Sequence, residues 1–147
     1  MATLHSDALN PQFGGTAYQP GANEEFMNPA QLAYFRLKLL AWKDGIVKES
    51  RETMTTLASG PIQEADLTDR ASSETDWGIH LRTRDRQRKL IAKIDAALHR
   101  IDTGEYGFCE VSGEPISLAR LEARPIATMT VEAQERHEKN ERISRDD

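Results

Sequence analysis

The sequence predicts a mainly α-helical protein: a long antiparallel coiled-coil hairpin on a small globular head, with a degenerate zinc-ribbon-like segment and a C-terminal helix. Apolar residues recur at steps of three and four in two long segments, and a polar stretch containing Gly60-Pro61 separates them. The residues after Gly104 have the spacing of a small zinc ribbon. Aromatic residues make up only 6% of the chain, which argues against one large compact core.

The first helix of the hairpin is predicted to begin at Asn28-Pro29. Asn28 can accept hydrogen bonds from free backbone N–H groups as N-cap, and Pro29 suits the first helical position. Gly60-Pro61 is predicted to end the helix. Its apolar face comprises Leu32, Phe35, Leu39, Trp42, Ile46, Met54 and Leu57.

The second helix is predicted to begin between Leu67 and Ser72 and to run to Ile101, with Thr103-Gly104 as its C-terminal stop. The hairpin then spans residues 28–104, with an acidic tip near 62–71 and arms on the order of 45 Å long. The apolar face of the second helix is interrupted by a polar gap at 82–89. This face comprises Trp77, Leu81, Leu90, Ile94, Leu98 and Ile101.

Two segments lie outside the hairpin. Residues 1–27 are rich in Gly, Pro and Asn without any period, and we expect a flexible N-terminal segment. Residues 105–147 are expected to form the head and a C-terminal helix that begins near Val131. Packing in the head is expected to come from Tyr106, Phe108, Ile116, Leu118, Leu121, Ile126 and Met129.

Charge and composition exclude several classes of protein. The net charge of −5 argues against a general duplex-DNA binder. The sequence has no run of about 18 apolar residues, so no membrane span is predicted. The first residues lack the pattern of a signal peptide, and a single cysteine excludes an internal disulfide, so we expect a cytoplasmic protein. The chain has no Ser–His–Asp order, Gly-rich phosphate loop or H-E-x-x-H motif, and we predict that it is not an enzyme.

Two charged groups are candidates for binding. Carboxylates cluster at the predicted turn as Glu64, Asp66 and Asp69, either to cap backbone N–H groups or to reach a partner's site from the end of the arm. Basic residues form a stripe on the second helix, where like charges four residues apart repel unless an anion sits against them. A solvated surface and an acidic or phosphorylated partner both fit this stripe, which comprises Arg82, Arg86, Lys89 and Lys93.

The ribbon-like segment lacks the residues that would bind zinc. Its four ligand positions hold Cys109, Ser112, Thr130 and Ala133, whereas structural zinc needs four nitrogen, sulfur or carboxylate ligands. His99 and His137 do not lie at ribbon spacing. We therefore predict no bound metal and a Cys109 that packs as a small hydrophobic side chain.

Four motifs together resemble the DksA/TraR family of bacterial transcription factors, over roughly Pro29 to Gln134. These motifs are "RTRDRQRKLIAKI" from Arg82, "YGFCEVSGEPI" from Tyr106, "LARLEARPIAT" from Leu118, and a D-x-x-D-x-A pattern at the tip. The resemblance implies a monomer that inserts its hairpin into the secondary channel of RNA polymerase without binding DNA. It also implies altered promoter open complexes, together with the alarmone ppGpp, so that ribosomal RNA promoters are repressed and amino-acid promoters activated.

The resemblance also assigns site residues. It places Asp66, Asp69 and Ala71 at the polymerase-contacting tip. It implies a ppGpp-site face made of Arg86, Lys89, Leu90, Lys93 and Arg124. This sequence departs from the family in three of the four cysteines, and in Gln134, where a basic residue is commoner at the ppGpp edge.

Two other functions stay open from the residues alone. The first is a transcript-cleavage accessory like the Gre factors, but those use an adjacent Asp-Glu pair, whereas the tip acids here are separated. The second is a plain coiled-coil adaptor, which the polar gap at 82–89 disfavours because an adaptor seam would be apolar throughout.

Overall fold

The computed structural model describes residues 18–59 and 67–146, with the backbone alone at 57, 59, 67–73 and 146. Within these ranges the chain forms four helices and no strand: α1 (Pro29–Ser59), α2 (Leu67–Thr103), α3 (Leu118–Ala123) and α4 (Val131–Asp146). None of these helices is long and apolar enough to cross a membrane. The prediction of a mainly α-helical fold with a C-terminal helix is confirmed.

Local signals set the ends of the two long helices. The backbone N–H of Gln31 donates to the Asn28 side-chain oxygen at 2.8 Å, so Asn28 caps α1 as predicted. At the other end of the hairpin, Gly104 follows α2 with a φ of 81°, a left-handed conformation that glycine adopts without steric cost. The N–H groups of Glu105 and Tyr106 then donate to the Arg100 carbonyl at 2.9 and 3.1 Å.

The chain divides into two compact units. The arm unit is Leu40–Asp95, and the head unit comprises the described residues up to Leu39 and from Ala96 onward. The predicted boundary lay after residue 104, so the units divide the long helices instead of separating them from the head. The reason is that the start of α1 supplies core side chains to the head: the rings of Phe35 and Tyr106 lie 5.6 Å apart.

The two units differ in how much apolar surface they bury. In the head unit, Tyr106, Ile116 and Leu121 are buried as predicted, while Phe108, Leu118, Ile126 and Met129 are half-buried. In the arm unit, the fully or nearly fully buried apolar side chains among the described residues are Ile46 and Ile94.

The predicted seam of the arm is wrong at three positions. Met54, Trp77 and Leu81 are 42%, 48% and 45% exposed. Helical spacing places residues on one face of a helix but does not supply a partner to cover them. On α1, the residue that shares a cavity with Leu81 is the polar Ser50.

Residues 18–28 pack against the head, in contrast to the flexible segment predicted for 1–27; residues 1–17 lie outside the described part of the chain. The Phe26 and Phe108 rings meet edge to face at 5.4 Å. Met27 has a φ of 53° and lies over Gly107. Gly107 has a φ of 90°, which strains any other residue, and a Cβ there would lie 2.9 Å from the Met27 Cγ and push that side chain away.

Candidate functional site

The predicted tip residues lie at the edge of the described chain. Asp66 falls outside the described residues, as does Glu64. Asp69 and Ala71 lie in the first turns of α2, where the structure describes the backbone only. Their roles therefore stay predictions.

The basic stripe lies on the arm unit. Arg86, Lys89 and Lys93 are exposed on α2, and Leu90 is half-buried beside them. The Lys89 Nζ lies 3.2 Å from one carboxylate oxygen of Asp85, and the Arg88 Nη2 lies 2.7 Å from the other. Hydrogen bonds from Lys89 and Arg88 hold the pKa of Asp85 below its usual value. An anion that approaches this face would meet the cations of Arg86, Lys89 and Lys93. Of these three side chains, Lys89 is already paired with Asp85.

The remaining two residues of the predicted ppGpp edge belong to the head unit. Arg124 is exposed and caps the C-terminus of α3, with its N–H donating to the Arg120 carbonyl at 2.7 Å. Gln134 donates from its side-chain amide to Glu138 at 3.1 Å. Both side chains are available for polar contacts, but Gln134 carries no charge for an anion.

The four positions of the degenerate finger lie together in the head. The Ser112 N–H donates to the Cys109 sulfur at 3.5 Å, and the Thr130 N–H also donates to Cys109. The Ala133 N–H donates to the Thr130 hydroxyl at 3.2 Å, so Thr130 caps α4. The spacing therefore brings the positions together, and backbone hydrogen bonds occupy the space between them.

These residues do not fit a zinc ion. Only the thiol of Cys109 is a good zinc ligand, since Ala133 has no donor atom and the Thr130 hydroxyl already accepts a hydrogen bond. Among the described residues, no group of three or more His, Cys, Asp or Glu side chains is placed to hold a metal.

Other contacts hold the head together. The buried Tyr106 hydroxyl donates to the Pro125 carbonyl at 2.7 Å, and the Arg120 Nε donates to the Met129 carbonyl at 2.9 Å. Glu122 accepts from the Tyr34 hydroxyl and from Lys38 Nζ, the latter at 2.7 Å. These bonds tie α1, α3 and the loop before α4 to one another.

The pKa of the Cys109 thiol lies well below its usual value. Burial opposes its ionisation, but hydrogen bonds from Ser112, Thr130 and Val111 outweigh burial and lower its pKa to about 6. Cys109 is 3% exposed, so these donors replace water around the sulfur.

We expect the stability of the protein to rise with pH because of this thiol. Its pKa is about 6 in the folded chain, whereas a cysteine in an unfolded chain titrates near about 8.5. Between these values the folded state binds fewer protons, so the free energy of unfolding increases with pH and the gain is lost as pH falls through the folded pKa. Urea unfolding of wild type and Cys109→Ser across this range measures the difference in slope. Equal slopes would show that Cys109 stays neutral in the fold.

Comparison with known proteins gives the same family over both units. Residues 31–101 match the N-terminal domain of the DnaK suppressor protein DksA, and residues 104–139 match the prokaryotic dksA/traR C4-type zinc finger. A Caulobacter vibrioides protein named RNA polymerase-binding transcription factor DksA is 65% identical over 130 residues, which is 88% of this chain and 92% of the relative. The protein of the same name from Escherichia coli K12 is 40% identical, over 81% of this chain and 79% of that one.

A solved structure agrees in fold. The transcription factor DksA2 from Pseudomonas aeruginosa superimposes with a TM-score of 0.72 at 41% identity, over 84% of this chain and 94% of that one. The helical hairpin and the finger-like head thus define a protein of the transcription-factor class to which these relatives are assigned. The chain belongs to the DksA family. Its single cysteine departs from the C4 description of the matched finger.

Two residues of interest were missed by the sequence analysis. Arg84 and Gln87 lie in the polar gap, and both contribute side chains to a cavity in the arm unit that also includes Ile91 and Ser50. Counting back from Ile94 in steps of three and four reaches Ile91, Gln87 and Arg84, so the gap is the seam itself with polar residues in it. This spacing was the signal in the sequence that could have identified Arg84 and Gln87 as seam residues.

Proposed function

We propose that this protein binds RNA polymerase and regulates transcription initiation. The observation that carries the proposal is the 65% identity to a relative named RNA polymerase-binding transcription factor DksA, over 92% of the relative's length. A match that covers both the arm and the head supports carrying over a function that depends on the whole chain. Because the proposed partner is RNA polymerase, the proposal includes a cytoplasmic location.

In this proposal the hairpin enters the secondary channel of the polymerase and acts without catalysis of its own. Asp66, Asp69 and Ala71 contact the polymerase at the tip, and the protein works as a monomer that does not bind DNA directly. The antiparallel pairing of α1 and α2 in the arm unit supports it: Lys43 lies 2.7 Å from Asp95, and Ser50, further along α1, lines a cavity with Gln87, which precedes Asp95 on α2. A hairpin of two helices can carry its tip away from its own core.

We further propose that ppGpp acts as co-regulator at the interface with the polymerase. Arg86, Leu90 and Lys93 would border it together with Lys89, with Arg124 adding a head residue. Arg86 and Lys93 form no ion pair within the described residues, so they can meet a phosphate without losing a partner. The neutral Gln134 reduces the positive charge available, and we expect a weaker ppGpp effect than a basic residue would give.

The test is the lifetime of an open complex at a ribosomal RNA promoter, with purified RNA polymerase from the same bacterium. We expect this protein to shorten the lifetime, and ppGpp to shorten it further. Gln134→Lys is expected to enlarge the ppGpp increment while leaving the ppGpp-free lifetime unchanged. An unchanged lifetime in the presence of saturating protein would contradict the proposed function.

A further inference from the structure

The seam of the arm contains a polar groove that the proposed tip and ppGpp face do not use. It has a volume of about 390 Å³. Ser50 of α1 and residues of α2 line it, and the polar members are Ser50, Arg84, Asp85, Gln87 and Arg88. A coiled-coil seam normally holds apolar side chains at these positions, so the groove interrupts the packing between the two helices.

Two polar atoms in this groove are shielded from solvent and have no hydrogen-bond partner in the described part of the chain: Arg84 Nε and Gln87 Oε1. The carboxylate next to them, Asp85, is held by Arg88 at 2.7 Å and Lys89 at 3.2 Å. Arg84 itself forms no ion pair with a carboxylate among the described residues. A shielded polar atom without a hydrogen-bond partner destabilises a fold, and here the shielded N–H belongs to the half-buried guanidinium of Arg84.

The groove has the chemistry of a carboxylate site. The guanidinium of Arg84 presents parallel N–H donors that match the two oxygens of a carboxylate, and Gln87 can turn its amide to donate as well. Two arginines and one aspartate give the lining a net charge of one positive unit (+2 − 1). A singly charged carboxylate balances that charge, whereas a doubly charged phosphate would overcompensate it.

We propose that this groove receives an aspartate or glutamate side chain of RNA polymerase, and that Arg84 is the residue that binds it. The inference rests on the proposed function, because it names a second contact of the same arm with the same partner. In the free protein Arg84 lacks a counter-ion, and in the complex it gains one. The pair formed on binding therefore offsets the cost of leaving Arg84 without a partner in the free protein.

The experiment compares Arg84→Met with wild type in two measurements. Removing the shielded N–H that has no partner, while keeping a long side chain, is expected to raise the melting temperature of the free protein. The same change is expected to weaken binding to purified RNA polymerase by at least about tenfold, since a charge-assisted pair is lost. Arg84→Lys, which keeps the charge but loses the two parallel donors, is expected to bind with intermediate affinity.

The matched control is Lys48→Met, which removes one positive charge from an exposed position on α1. It is expected to change neither the melting temperature nor the affinity appreciably. If Arg84→Met lowers the melting temperature, the arginine is a satisfied structural residue and the inference is wrong. If the melting temperature rises and the affinity stays at the wild-type value, the groove is not a polymerase contact.

The wild-type binding measurement separates this inference from the proposed function. Wild type that fails to bind polymerase contradicts the proposed function itself, whereas wild type that binds as tightly as Arg84→Met contradicts the groove alone. A photo-crosslinker introduced at position 50, on the groove wall, identifies the occupant. Crosslinks to a polymerase segment containing an acidic residue support the inference, and crosslinks to nucleic acid or to a segment without one overturn it.

Discussion

Replacing Asp69 by Asn is expected to abolish the shortening of open-complex lifetime while leaving the protein folded and bound to polymerase. The substitution keeps the size and shape of the side chain and removes its charge. Asp69 is the third residue of α2. At this position the interaction of a negative charge with the helix dipole stabilises the helix by about 0.3–1 kcal/mol. We therefore expect a loss of stability below about 1 kcal/mol, too small to unfold the arm.

The measurement pairs open-complex lifetime with polymerase binding and with urea unfolding. Asp76→Asn is the matched control, since Asp76 is an exposed carboxylate on the same helix and undergoes the same chemical change. We expect the control to behave like wild type in all three assays. If Asp69→Asn unfolds instead, the carboxylate is a structural cap, and the assignment of Asp69 to the tip loses its support.

Signals that act over a few residues made the helices predictable. Asn28 caps α1, and Gly104 follows α2 with a positive φ, because capping and left-handed backbone depend on the residue itself. The docking of residues 18–28 was not predictable in this way. It depends on Phe26 meeting Phe108 and on Met27 meeting Gly107, contacts between residues far apart in sequence that no local period announces.

The candidate site was also predictable only in part. The spacing of Cys109, Ser112, Thr130 and Ala133 predicted that these residues converge, because a ribbon closes through its ligand positions. The spacing could not show what fills the space, which is a set of backbone N–H groups around one sulfur. The sequence did not reveal the unpaired Arg84 either. A polar residue in the seam between two helices looks the same in the sequence as a polar residue on a solvated face.

Replacing Ser112, Thr130 and Ala133 together by cysteine is expected to create a zinc site in the head. The four positions already lie next to one another, so four thiolates would surround one metal ion without a new backbone path. Structural zinc contributes about 10–16 kcal/mol to the folding of zinc-finger peptides. The melting temperature of the triple variant is therefore expected to rise steeply on addition of zinc.

The metal-free triple variant is expected to be less stable than wild type. Thr130→Cys removes the hydroxyl that caps α4, which costs about 1 kcal/mol. Ala133→Cys adds a sulfur atom at a position that is 3% exposed, which crowds the packing. Melting with and without EDTA measures both effects: the chelator is expected to lower the melting temperature of the loaded triple variant and to leave wild type unchanged.

The double variant Ser112→Cys/Thr130→Cys provides the control, because it offers three thiols instead of four and is expected to bind Co²⁺ more weakly. The visible absorption of Co²⁺ reports tetrahedral thiolate coordination directly. A triple variant that folds without binding Co²⁺ would show that the loss of cysteines has been accompanied by repacking, so that the head no longer retains the geometry of a metal finger. Tight binding would show instead that the N–H groups around Cys109 hold open the same geometry that the metal would otherwise set.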